Sequence, residues 1–99
     1  MSEKRIYHVR GVPFRLIFTN DLPNDYYGFI RWKRAKDPRK GGTIRIRKGM
    51  PEYRTLDTVI HELIHAALPD LEEEAVEETA NAISFVLMDL EMVTPRSAE

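Results

Sequence analysis

TLDTVIHELIHAAL, residues 55–68, repeats apolar side chains at intervals of three and four positions, which is the period of an α-helix. The repeat predicts an amphipathic helix that begins near Pro51 and ends at Pro69, because proline suits a first helical turn and interrupts a helix interior. We expect its apolar stripe to face the core of the protein. The stripe comprises Leu56, Val59, Ile60, Leu63, Ile64, Ala67 and Leu68.

A second helix is predicted after the turn at Pro69. Asp70 suits an N-cap, and Glu73 three positions later completes the pattern of a capping box. The helix is expected to end near Glu91. Its core face is predicted to consist of Val76, Ala80, Ile83, Leu87 and Leu90.

The N-terminal half has the pattern of β-strands. Segments 6–10, 13–18, 27–33 and 43–48 are short, rich in β-branched and aromatic residues, and separated by turn-forming residues. They predict an α+β fold, in which a small, mostly antiparallel sheet of three or four strands is followed by two packed α-helices. In this interpretation residues 1–93 form a single domain, and residues 94–99 form a flexible C-terminal tail.

The charges of the chain are segregated, although its 99 residues carry a formal net charge of only −1. Residues 1–54 contain 14 basic and 5 acidic side chains, whereas residues 55–99 contain 1 basic and 11 acidic side chains. The absence of cysteine excludes disulfides, thiolate metal ligands and cysteine nucleophiles, and it favours a cytoplasmic protein. No apolar run approaches the ~20 residues that span a bilayer, so we expect no membrane partner.

The first helix contains His61-Glu62-Leu63-Ile64-His65, the H-E-x-x-H pattern. Histidines four positions apart lie on the same side of a helix, so both imidazoles can bind one metal ion. Glu62 points off the pair, toward a water molecule at that ion. A catalytic zinc site needs three protein ligands and one open position. The pattern therefore predicts Zn2+ and a third ligand from another part of the chain.

The third ligand has more than one candidate. Glu77 and Glu73 both border the predicted core face of the second helix and can look into the groove between the helices. Glu77 is the preferred ligand, because Glu73 is already assigned to the capping box. His8 on the first strand is a less favoured alternative. Asp57 and Asp89 are candidates for orienting the imidazoles.

The motif, followed by Glu77-Glu78-Thr79-Ala80-Asn81, resembles the gluzincin zinc metallopeptidases, in particular the ImmA/IrrE-like and minigluzincin groups. The resemblance implies a zincin-like minimal core and a zinc ion held by His61, His65 and Glu77. It also implies a hydrolase that cleaves peptide or protein substrates, with a zinc-activated water and Glu62 as the general base. A minigluzincin-like tail, residues 94–99, would lie over the cleft as a latency element.

The basic half suggests an alternative function of a different class. A nucleic-acid-binding or DNA-associated protein would use residues 31–48, with the zinc structural or the peptidase inactive. A solvated basic face, balanced by the acidic second half, is the simpler interpretation of the same charges. The basic residues are Arg31, Lys33, Arg34, Lys36, Arg39, Lys40, Arg45, Arg47 and Lys48, interleaved with Tyr27, Phe29 and Trp32.

Overall fold

A computed structural model describes residues 4–34 and 37–93, which form four strands, a short 3-10 turn and two helices. The predicted α+β class is confirmed. The elements are β1 (Lys4–Val9), β2 (Val12–Thr19), β3 (Gly28–Trp32), the 3-10 turn (Pro38–Lys40), β4 (Gly42–Arg47), α1 (Glu52–Ala67) and α2 (Glu73–Asp89). The predicted tail, residues 94–99, lies outside the described residues.

The four strands form one mixed sheet in the order β1-β2-β4-β3. The two outer pairs, β1 with β2 and β3 with β4, are antiparallel, as the sequence suggests. The central pair, β2 with β4, is parallel, because β3 lies outside β4 rather than between β2 and β4. This order makes β3 an edge strand, and its residues line a cleft between the sheet and the helices.

The β1–β2 hairpin turns at Arg10 and Gly11, which both have positive φ angles, 55° and 78°. Positive φ at both central residues is typical of a two-residue hairpin turn whose twist matches the strands. The turn brings the Arg10 guanidinium to the C-terminal end of α1, where Nη1 donates to the Ala67 carbonyl oxygen at 3.0 Å. A cation at this end of a helix satisfies a free carbonyl and complements the helix dipole.

The hydrophobic core lies between one face of the sheet and α1. Alternate residues of the two central strands point into it, and Phe14, Leu16, Ile44 and Ile46 are buried there. On α1, Ala66 is buried in the same cluster, and Val59 and Leu63 pack against it.

The face of α1 that is most deeply buried differs from the predicted apolar stripe. Its buried residues are Thr55, Thr58, Glu62 and Ala66, whereas Leu68, at the end of the predicted stripe, is exposed. The reason is that α1 packs against the sheet on one side and against α2 on another, so its apolar residues are divided between two contacts. The prediction for α2 is also partly wrong, because Ser84 continues the buried row of Val76 and Ala80, and Ile83 and Leu90 are exposed.

Neither helix is long and apolar enough to cross a membrane, within the ranges that the structure describes.

Candidate metal centre

A cleft of about 640 Å³ separates the outer edge of β3 from the two helices. The residues just before β3 and those within it form one wall, and the helices form the other. The helix α1 contributes Asp57, Thr58, His61, Glu62 and His65, and α2 contributes Glu73, Glu77 and Asn81. The fold therefore gathers the motif residues and both candidate glutamates in one cleft.

His61, His65 and Glu73 form a compact cluster of metal-binding groups. Glu73 Oε1 lies 3.0 Å from His61 Nε2 and 2.8 Å from His65 Nε2. The two imidazole rings are one helical turn apart, with centroids separated by 4.9 Å. Their side chains are only 20% and 25% exposed, whereas Glu73, on the rim, is 65% exposed. The cluster is thus open to solvent on the side of α2.

The donor set fits zinc. Two imidazole nitrogens and one carboxylate oxygen are ligands that Zn2+ prefers, and three protein ligands leave a fourth position open. All three donor atoms lie within 4.8 Å of one another. Ligands of a tetrahedral zinc ion are about 3.4 Å apart, given bond lengths near 2.1 Å. The nitrogen-to-oxygen distances of 3.0 and 2.8 Å therefore need to open by only about half an ångström.

Electrostatics also favours an anionic Glu73. Partial burial raises its pKa, but hydrogen bonds from His65 and His61 and their positive charge outweigh burial and hold the pKa below its usual value. A carboxylate that stays ionised is ready to bind a cation.

The structure brings Glu73, rather than Glu77, into contact with the imidazoles. Glu77 lines the same cleft one turn further along α2, but it is not a member of the cluster formed by the described residues. The predicted capping box is wrong, because α2 begins at Glu73 and Glu72 occupies the N-cap position without a side-chain cap bond. Glu77 was preferred as the third ligand only because Glu73 was assigned to the cap. Without that cap, the Glu73 side chain faces His61 and His65.

Glu62 lines the same cleft but is only 7% exposed. Burial raises its pKa to about 7, the charge of His65 lowers it, and the Glu73 carboxylate raises it. A carboxyl group with a pKa near neutrality can both accept and donate a proton at physiological pH. The sequence predicts the position of Glu62 beside the histidines, but not the depth of its burial.

Gly28, the first residue of β3, allows the sheet to approach Glu62. A Cβ atom at this position would lie 2.7 Å from Thr58 Cγ2 and 2.9 Å from Glu62 Cγ. Both distances are too short for carbon atoms, so any larger residue must displace the Thr58 and Glu62 side chains or the helix that carries them.

We expect Gly28→Ala to destabilise the protein by about 1–3 kcal/mol, the usual cost of overpacking. Thermal unfolding checks this effect, with Ala82→Ser on the exposed surface of α2 as the control. An unchanged melting temperature for Gly28→Ala would contradict the close approach.

The other residues proposed for the site do not contact the two imidazoles. Asp57 connects the helices: it accepts a hydrogen bond from Ser84 Oγ at 3.2 Å, and Asn81, with its amide nitrogen turned toward Asp57, donates to Oδ1 at 2.7 Å. Among the described residues, neither Asp57 nor Asp89 forms a hydrogen bond to an imidazole, contrary to prediction. His8 is on β1, the strand furthest from the cleft in the sheet order, so it is not a ligand of this cluster.

The loop before β3 is held by Arg47, which the sequence analysis assigned to the basic surface. Its Nε donates to the Tyr26 carbonyl oxygen at 2.8 Å and its Nη2 donates to the Pro23 carbonyl oxygen at 2.8 Å. On the same wall, the Arg54 guanidinium lies 4.7 Å from the ring centroid of Tyr27. These contacts fix Tyr26 and Tyr27 at the mouth of the cleft.

Comparisons with protein-family models, with curated proteins and with solved structures gave no match.

Proposed function

We propose that this protein is a zinc-dependent metallopeptidase of the gluzincin type. The observation that carries the proposal is the convergence of His61, His65 and Glu73 on one point beside a buried glutamate of the same motif. In this proposal Glu73, rather than Glu77, is the third zinc ligand. The cytoplasmic location expected from a cysteine-free sequence is part of the proposal.

Each residue has a distinct task in the proposed reaction. Zinc in this site would polarise the carbonyl of the scissile peptide and acidify a water molecule. Glu62 takes the proton from the attacking water and returns it to the leaving amine. Its burial supports this task, because a pKa of about 7 lets the same carboxyl act first as base and then as acid. Asp57 fixes the separation of the two helices and thereby the position of the ligands.

The edge strand supports a peptide as the substrate class. In the described sheet, β3 is paired only with β4, and its other edge borders the cleft. Unpaired amide and carbonyl groups of an edge strand bind an extended peptide as an added strand. A peptide held there would pass directly over Glu62 and the histidine pair.

The proposal is tested by metal content and hydrolysis measured on the same sample. We expect one zinc per chain by elemental analysis after exchange into metal-free buffer, and cleavage of an unstructured, internally quenched peptide. His65→Ala should lose both, because two donors do not retain zinc against exchange. Glu78→Gln, an exposed carboxylate of α2 outside the cleft, is the control and should retain both.

Two outcomes would contradict the proposal. Wild-type protein without zinc would exclude the metal centre. Stoichiometric zinc whose removal lowers the melting temperature, without cleavage of any unstructured peptide, would instead indicate a structural ion that joins the two helices.

A further inference from the structure

The face of the sheet opposite the helices carries a patch of arginines. Residues that alternate with the buried Phe14, Leu16, Ile44 and Ile46 point to this outer face. In one cross-strand row Arg15 and Arg31 flank Thr43, and in the next row Ile17 and Phe29 flank Arg45. The patch therefore alternates cations with apolar side chains across three neighbouring strands.

Within residues 4–34 and 37–93, the three guanidinium groups have no partner. In these ranges no hydrogen bond, ion pair or ring contact engages Arg15, Arg31 or Arg45, whereas Arg10, Arg39, Arg47 and Arg54 are all engaged elsewhere. None of the residues of the described strands that point to the outer face is acidic. Positive charge is thus concentrated on this face, while the acidic residues of α2 lie beyond α1 on the other side of the sheet.

The spacing suits a chain of phosphates. Strands are about 4.8 Å apart, so Arg15 and Arg31, on the two sides of β4, lie about 10 Å apart at the backbone. Arg45 lies about 7 Å further along β4 than Thr43. Arginine side chains are long and forked, so at these spacings they can reach several phosphates of one nucleic-acid chain. The Thr43 hydroxyl between Arg15 and Arg31 is a further donor.

We infer that this outer face binds single-stranded nucleic acid. Ile17 and Phe29, on either side of Arg45, are half-buried apolar side chains, and the Tyr26 ring lies 5.7 Å from that of Phe29. Unstacked bases can pack against such a surface, whereas the bases of a duplex remain stacked on one another. An acidic peptide could pair with the three arginines, but its carboxylates would gain nothing from the apolar side chains between them. Trp32, which the sequence analysis included among the aromatic residues of the interface, faces the core, with its ring 5.8 Å from that of Phe14. Arg15, which the sequence analysis did not include, belongs to the patch.

Binding is measured by fluorescence anisotropy with labelled dT20 and rU20 at 50 mM salt. Three phosphate contacts give a salt slope of about −2, so affinity should fall about 20-fold between 50 and 200 mM salt. The double variant R15Q/R45Q should weaken binding at least tenfold and leave only an approximately threefold dependence over the same range. The control R10Q/R39Q removes the same charge from two arginines outside the patch and should bind like the wild type.

The two probes have the same number of phosphates, so the ratio of their dissociation constants shows whether the protein prefers DNA or RNA. The inference is overturned by absence of binding at 50 mM salt or by equal binding of R15Q/R45Q and wild type. It is also overturned if a 20-bp duplex or polyglutamate binds more tightly than both single strands. Circular dichroism melting of each variant shows that loss of binding does not reflect loss of folding.

Discussion

Glu62→Gln is expected to lower peptide hydrolysis by about 10²–10⁴-fold, the usual contribution of a general base, while zinc remains bound. Glutamine has nearly the same shape as glutamate, so it fits the buried position against Gly28 and Thr58. It cannot accept the proton of the attacking water, and this loss affects the chemical step rather than binding of the metal.

The measurements are kcat/KM on the quenched peptide and zinc content of the same preparation. Glu78→Gln removes the same charge from an exposed position and should change neither quantity. If Glu62→Gln retained wild-type hydrolysis, Glu62 would not be the base. If the variant lost zinc as well as activity, the glutamine would have disturbed the cluster, and the role of the carboxyl would have to be tested with aspartate at this position.

Glu73→Gln is expected to weaken zinc binding by more than about 100-fold, whereas Glu77→Gln should change it by less than about tenfold. Removing a residue that only orients a metal ligand usually lowers metal affinity by about 10–100-fold. Loss of a direct ligand should lower the affinity by more than that, which sets the limit of about 100-fold for Glu73→Gln. The two glutamates form a matched pair, because both are exposed carboxylates on α2, one turn apart, beside the same cleft.

Competition with a chromophoric chelator gives the zinc dissociation constant of each variant. The reverse order, with Glu77→Gln the weaker binder, would support the ligand set implied by the gluzincin resemblance. It would also mean that α2 or the Glu77 side chain shifts toward the imidazoles when zinc binds. Equal losses in the two variants would contradict both assignments, since a site with one open position takes only three protein ligands.

Much of the fold follows from periodicity in the sequence. The repeat in residues 55–68 and the change to alternating apolar residues upstream are enough to predict a sheet followed by two helices, with His61 and His65 on one side of the first. Periodicity does not give the strand order, because the parallel pairing of β2 with β4 depends on where β3 lies. Periodicity also does not show which side of α1 faces the sheet and which side faces α2.

The parts of the site that escaped prediction depend on tertiary contacts. Thr58 and Glu62 are buried although their types favour the surface, because the missing side chain of Gly28 makes room for them. Glu73 was assigned to a cap on local grounds, and only the path of the chain from Leu68 to Glu72 turns it toward the histidines. Arg47 belongs by composition to a charged surface, yet it binds backbone carbonyls of the loop before β3.

The three proposed metal ligands lie close together in the sequence. His61 and Glu73 are only twelve positions apart, so closing the loop between them costs little chain entropy. The sheet, in contrast, must join distant segments, such as Leu16 with Ile44 in the parallel pair, and such pairings form slowly. If the site holds zinc as proposed, the ion would join the two helices through a short loop, independently of the slower strand pairings.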